Sequence, residues 1–204
     1  LPYGTHTIRG VKKSGTYMVI DKFVVHAAGT AIPAPTLPAP QPGQVYQASV
    51  GFSSTQGANG WYYQQWDGST YSNMTWTGSN WKGTDIYCLI GSKIQHPDNH
   101  DSVRKWVAPE SGTVKITSDG KISVGPNGDG VRVKVLKNNK DIWPSSGWQT
   151  IPANSSISFP EKYVNVEAGD ALYFIVNKNG TNSYDSTTWD PVITYMPYPV
   201  YQAS

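Results

Sequence analysis

Apolar and polar residues alternate with a period of two along most of this chain, and no convincing amphipathic helical stretch interrupts them. In Val131-Arg132-Val133-Lys134-Val135, the three valines point to one side and the two cations to the other. The pattern predicts a strand with Val131, Val133 and Val135 in the core and Arg132 and Lys134 facing water. Asn138-Asn139 tolerates the positive φ of a tight turn and returns the chain into Lys140-Asp141-Ile142-Trp143. The Ala168-Gly169-Asp170 turn leads into a strongly apolar run from Ala171, the signature of a central strand. Read in this way, strands are predicted over 61–66, 71–76, 85–90, 102–107, 112–118, 120–124, 131–137, 140–143, 156–159, 171–177 and 192–195. Turn residues such as Asp67-Gly68, Thr77-Gly78-Ser79-Asn80 and Pro126-Asn127-Gly128-Asp129-Gly130 separate them. Many short strands so spaced predict an all-β chain folded as a β-sandwich, a jelly roll.

The principal module spans residues 44–195. Before it, residues 1–28 read as a hairpin about Lys12-Lys13-Ser14-Gly15. A lone hairpin is marginal in water, so this one reads as the closing strands of a preceding sandwich or as a piece docked on the next domain. Residues 29–43 hold prolines at 33, 35, 38, 40 and 42, the composition of a semi-rigid linker. Val45-Tyr46-Gln47-Ala48-Ser49 returns, after further prolines, as Val200-Tyr201-Gln202-Ala203-Ser204. Residues 196–204 are therefore expected to be a linker and the start of a further repeat, in a piece of a longer tandem array.

Composition narrows the partners. Charged residues make up 15% of the 204, the net charge is +2, and no run of Lys and Arg is long enough to track phosphates. That argues against nucleic acid. With 8 Trp, 13 Tyr and 20 Gly, the chain has the make-up of a secreted β-rich domain. Cys88 is the single cysteine, so there is no internal disulfide, and its apolar setting predicts a buried structural thiol. A cysteine-poor extracellular domain suits a bacterial source. No window reaches the ~20 apolar residues of a membrane span.

Sugar recognition uses aromatic rings against the C–H face of a pyranose, with planar amides, carboxylates and guanidinium groups reading the hydroxyls. Three aromatic groups qualify. In 61–66, Trp61, Tyr63 and Gln65 share one face and Tyr62, Gln64 and Trp66 the other; one set has to be core, and Trp61 and Tyr63 are carried as candidates. The loop after Ile142 offers Trp143, Trp148 and Gln149. The polar loop 177–189 offers Asn182, Tyr184 and Trp189, or simply covers a sheet edge. Arg104 and Lys105 alternate faces, so an inward one needs a carboxylate or carbonyl partner while an outward one can meet an acidic sugar. His96, Asp98, His100 and Asp101 lie close in sequence without any established ligand spacing.

One family resemblance is visible. Its residues are Gly51-Phe52-Ser53-Ser54-Thr55-Gln56-Gly57, Gly60-Trp61-Tyr62-Tyr63, His96-Pro97, Ser102 to Pro109, Gly128-Asp129-Gly130-Val131, Ile142-Trp143-Pro144, Ala168-Gly169-Asp170 and Asp185 to Pro191. Over about 44–195 the chain resembles the jelly-roll carbohydrate-binding modules of secreted bacterial polysaccharide-degrading enzymes, most of all the tandem modules of xanthan-degrading endoglucanases. The resemblance implies a non-catalytic module that targets an attached glycoside hydrolase or lyase to an extracellular polysaccharide such as xanthan. It implies a catalytic domain and sister modules in the same polypeptide. A structural calcium is common in such sandwiches, and Asn127, Asp129, Asp185 and Asp190 supply oxygen, though in no EF-hand spacing. Two alternatives stay open: a small polysaccharide lyase or hydrolase, and a cell-surface adhesin repeat. Gly-x-Ser-x-Gly, His-Glu-x-x-His and P-loop patterns are absent.

Overall fold

Alternating side chains do build an all-β sandwich. A computed structural model of the protein describes residues 43–197, and the hairpin, most of the linker and the second Val-Tyr-Gln-Ala-Ser lie outside them. All strand pairs are antiparallel. One seven-stranded sheet runs Lys140–Trp143, Val131–Lys137, Ala171–Asn177, Asp101–Val107, Trp61–Trp66, Tyr71–Asn73, with Gln149–Ile151 also pairing Val131–Lys137. Against it lie a four-stranded sheet (Val45–Gln47, Pro191–Tyr195, Gly112–Ser118, Lys162–Val166) and a second seven-stranded one built from short strands around Ile122–Val124 and Ile94–His96. No helix among the described residues is long and apolar enough to cross a membrane.

The core lies between these layers. Val131, Val133 and Val135 are all buried, while Arg132 and Lys134 on the same strand are half-exposed, as the alternation requires. Ala171–Asn177 is central, bonded on both sides by strands of its own length, seven residues. Trp61 meets Phe174 at 6.0 Å, and Tyr63 stacks on Trp81 at 5.1 Å. Cys88 is buried, and desolvation pushes its thiol up to about 12.

Some predicted strands are shorter or split. The 71–76 run breaks at Met74, whose amide bonds to the Tyr63 carbonyl; Tyr71–Asn73 joins one layer and Thr75–Trp76 the other. Of 85–90 only Leu89–Ile90 is strand. Side chains divert the rest: the Asp85 carboxylate accepts from the His100 amide at 2.7 Å, and the Tyr87 amide donates to Asp98 at 3.0 Å.

Candidate functional site

The period of two that fills the core also decorates the outside of the larger Trp61–Trp66 sheet. Pairing sets Tyr62 opposite Lys105, Lys105 opposite Tyr173, and Trp66 opposite Tyr71. Val103, Leu136 and Ile175 form a buried floor on this outer side, and Trp66, Tyr71, Trp148 and Tyr173 pack over it, half-exposed. Trp66 and Tyr71 stack at 5.8 Å and 19° between planes; Tyr71 and Tyr173 stack at 4.6 Å and 28°. Burial among these rings pushes the Tyr71 phenol up to about 12, with the neighbouring Tyr173 adding to it.

Cations sit between the rings. Lys134 Nζ lies 4.2 Å from the Trp148 ring centre and 5.0 Å from that of Trp66. Lys105 Nζ is 5.3 Å from Tyr62 and 5.6 Å from Tyr173. Arg132 reaches Trp148 at 5.6 Å and donates from Nη2 to Asn177 Oδ1 at 2.8 Å. Asn177 in turn donates to Asp101, a carboxyl that burial raises to about 6. The result is a flat face of rings, ammonium groups and amides. It can stack planar apolar faces and donate hydrogen bonds at their rims.

The structure distributes the sequence candidates unevenly. Trp148 and Lys105 lie on this face. Trp61, Tyr63, Trp143 and Trp189 are in the core, where their rings cannot reach a ligand without the sandwich opening. Trp143 packs edge-on to Phe159 and Trp189 edge-on to Phe174, so the core's need for large apolar volume has claimed them. Arg104 is fully buried and takes carbonyl partners: Nη2 donates to Gly91 O at 2.8 Å and Ile94 O at 3.2 Å, and Nε to Gln95 Oε1 at 3.2 Å. Gln149 pairs with Val133 and so sits on the core side of its strand, half-buried. Asn182 donates to Asp98 at 2.6 Å, beside the exposed Tyr184 in a shallow pocket shared with Tyr87 and His96.

Sequence reasoning left out Trp66, Tyr71 and Tyr173, and read Lys134 and Arg132 only as water-facing. One signal was available. Trp66 and Tyr71 flank a turn fixed by Asp67, whose carboxylate accepts from the Ser69 and Thr70 amides at 2.8 Å each. Residues bracketing so short a turn are cross-strand neighbours.

Two of the carboxylates considered for calcium are engaged by protein donors. Asp190 is occupied by Ser49, Gln47 and Lys93, and Asp129 caps the Gly180 and Thr181 amides. No group of three or more His, Cys, Asp or Glu that could hold a metal occurs among the described residues. Asp185 is 0% exposed, and neither of its carboxylate oxygens has a protein partner. Burial, aided by the charge of Asp129, pushes it up to about 7. An unfolded aspartate loses its proton near ~3.9, so between about 4 and about 7 the folded chain holds a proton that the unfolded chain has released. Stability should therefore fall as pH rises through that window, and the full penalty stands above it. Asp185→Asn is expected to gain roughly 1–3 kcal/mol at pH ~8 and nothing at pH ~4, measured by urea unfolding. An equal gain at both pH values would rule out the charge as the cause.

No family model and no curated protein sequence matches the chain. Among solved structures, it is similar to the rabbit GITRL structure at 16% identity, covering 70% of this chain and 99% of that one, with a TM-score of 0.33. An exo-β-1,3-galactanase from Phanerochaete chrysosporium matches at 15% identity over 75% of this chain and only 29% of its own, with a TM-score of 0.35. A family 35 carbohydrate-binding module from Paenibacillus barcinonensis matches at 16% identity over 74% and 98%, with a TM-score of 0.31. At these identities and scores, none of the likenesses assigns a function.

Proposed function

We propose that the sandwich is a non-catalytic carbohydrate-binding module whose outer sheet face holds an extended polysaccharide. The observation that carries this reading is the row of half-exposed rings, Trp66, Tyr71, Tyr173 and Trp148, over an apolar floor on one side of a rigid sheet. Rings in such a row present flat area to successive sugar units, and a sheet holds them without the ordering cost of a loop. In the full polypeptide the module targets an attached glycoside hydrolase or lyase to its substrate outside a bacterial cell, with xanthan as the candidate polymer. Sister modules raise the effective concentration along a repeating chain.

Affinity gel electrophoresis of the 204-residue chain against xanthan, cellulose, xylan, pectin and alginate tests the class. At least one polymer should retard the protein. Tyr163→Ala, at an exposed ring on the opposite layer, should leave the retardation unchanged. A folded protein that no polymer retards would end the sugar-binding reading.

A further inference from the structure

The cations on the ring face are unusual in their surroundings. Among the described residues, the ion pairs made by lysine and arginine belong to Lys93, Lys115 and Lys137. Lys105, Arg132 and Lys134 form none, and neither do Lys82, Arg104, Lys121, Lys140, Lys162 or Lys178; what sets the three apart is that each lies against aromatic rings. Their cross-strand neighbours are neutral: Tyr62 and Tyr173 beside Lys105, Asn177 and Thr150 beside Arg132, Ile175 beside Lys134. An opposite charge across from each cation would stabilise the sheet. Here three cations instead share one face with aromatic rings, and the carboxyl beneath them, Asp101, is 5% exposed and bonded to Asn177. Lys134 and Arg132 both act on that carboxyl, and three cations over one carboxyl leave the face with an excess of positive charge.

From this arrangement we infer that the ring face selects anionic polysaccharides: Lys134, held between Trp66 and Trp148, receives a sugar carboxylate, and Lys105, between Tyr62 and Tyr173, receives a second. The inference rests on the reading of this face as a sugar platform and names the substrate class. Rings on either side of each ammonium remove part of its water and fix its position, so an incoming carboxylate meets a preorganised donor. Charge-assisted bonds of this kind are stronger than hydroxyl contacts. A neutral glycan can still stack on the rings but leaves both ammonium groups without an acceptor. The carboxylate can come from a uronate ring or from a pyruvate acetal, which present the same charge.

The test uses the full chain, native xanthan, xanthan stripped of pyruvate, and xanthan whose carboxyl groups have been reduced to alcohols. Carboxyl reduction should weaken binding by about ten-fold or more, and depyruvylation alone identifies which acid is read. Lys134→Gln should reproduce most of that loss on the native polymer and change nothing on the reduced one, while Lys134→Arg should recover part of it. Lys105→Gln provides an independent second variant at the other cation. Raising NaCl from about 0.05 to 0.5 M should weaken native binding far more than reduced-polymer binding.

Equal affinity for native and reduced xanthan would overturn the inference and leave the sugar-binding reading standing. Binding of neither, with no retention by pectin or alginate either, would overturn the inference, and the sugar-binding reading would then stand or fall with cellulose and xylan. Equally tight, salt-sensitive binding of polyglutamate or single-stranded DNA would show a merely cationic surface, and would also overturn the selection of acidic sugars.

Discussion

Replacing Trp66 and Trp148 together by alanine is expected to abolish retention by polysaccharide while the sandwich stays folded. Each ring is half-exposed and borders Lys134 from its own side. Loss of one ring should cost about ten-fold in affinity, or ~1.4 kcal/mol. Loss of both should exceed a hundred-fold. The combined loss need not be the sum of the two, because the rings share a lysine. Folding should suffer little, about 1–2 kcal/mol of a typical 5–15, since the floor of Val103, Leu136 and Ile175 stays backed by the sheet. Gel retardation and a thermal melt on the same samples check both parts. Undiminished retention with the double variant folded would move the site off this face.

Arg104→Ala should have the largest effect on stability, a loss of about 3–5 kcal/mol. The side chain is fully buried and joins the carbonyls of Gly91 and Ile94 to the Gln95 amide oxygen. Burial lowers the guanidinium only to about 10, so it stays charged at neutral pH. Truncation leaves a void and takes a donor from each of three acceptors, of which Ile94 O keeps the Gly91 amide; void and lost bonds are separate costs that add. Lysine cannot replace it, because a single ammonium group cannot span acceptors arranged for a planar fork. Urea unfolding should show a lower midpoint with unchanged slope, and Lys105→Ala, one residue on, should cost under ~1 kcal/mol. A loss for Arg104→Ala comparable with that of its neighbour would refute this account of the core.

The contrast between Arg104 and Lys105 shows how far the sequence could be read. Alternation placed the two on opposite faces and required oxygen partners for whichever pointed inward, but could not name them. At Val131, Val133 and Val135 the choice of face was plain, because one set was apolar and the other charged. In Trp61–Trp66 it was not, since both faces carry large rings: Trp61 and Tyr63 on one, Tyr62 and Trp66 on the other. Periodicity separates two sets and says nothing of which meets the other layer when both are aromatic. The ring face also depends on adjacency between strands distant in sequence. Tyr71 meets Tyr173 across two intervening strands, both rings packing over the Val103, Leu136 and Ile175 floor. No local pattern contains that contact.

The first and last described strands have a mechanical consequence. Val45 pairs with Thr194, Tyr46 with Ile193 and Gln47 with Val192, so the chain enters and leaves at the same end of one antiparallel pair. A pull applied between the two flanks loads these rungs one after another like a zipper. The backbone bonds that join Tyr195 to Gly43 and Gln44 bear the force first, and the Val45–Thr194 rung follows. Behind the three pairs stands a polar clasp, in which Ser49 and Gln47 both donate to Asp190. The ring face belongs to the other layer, so under tension the first strand peels away before the load reaches that face.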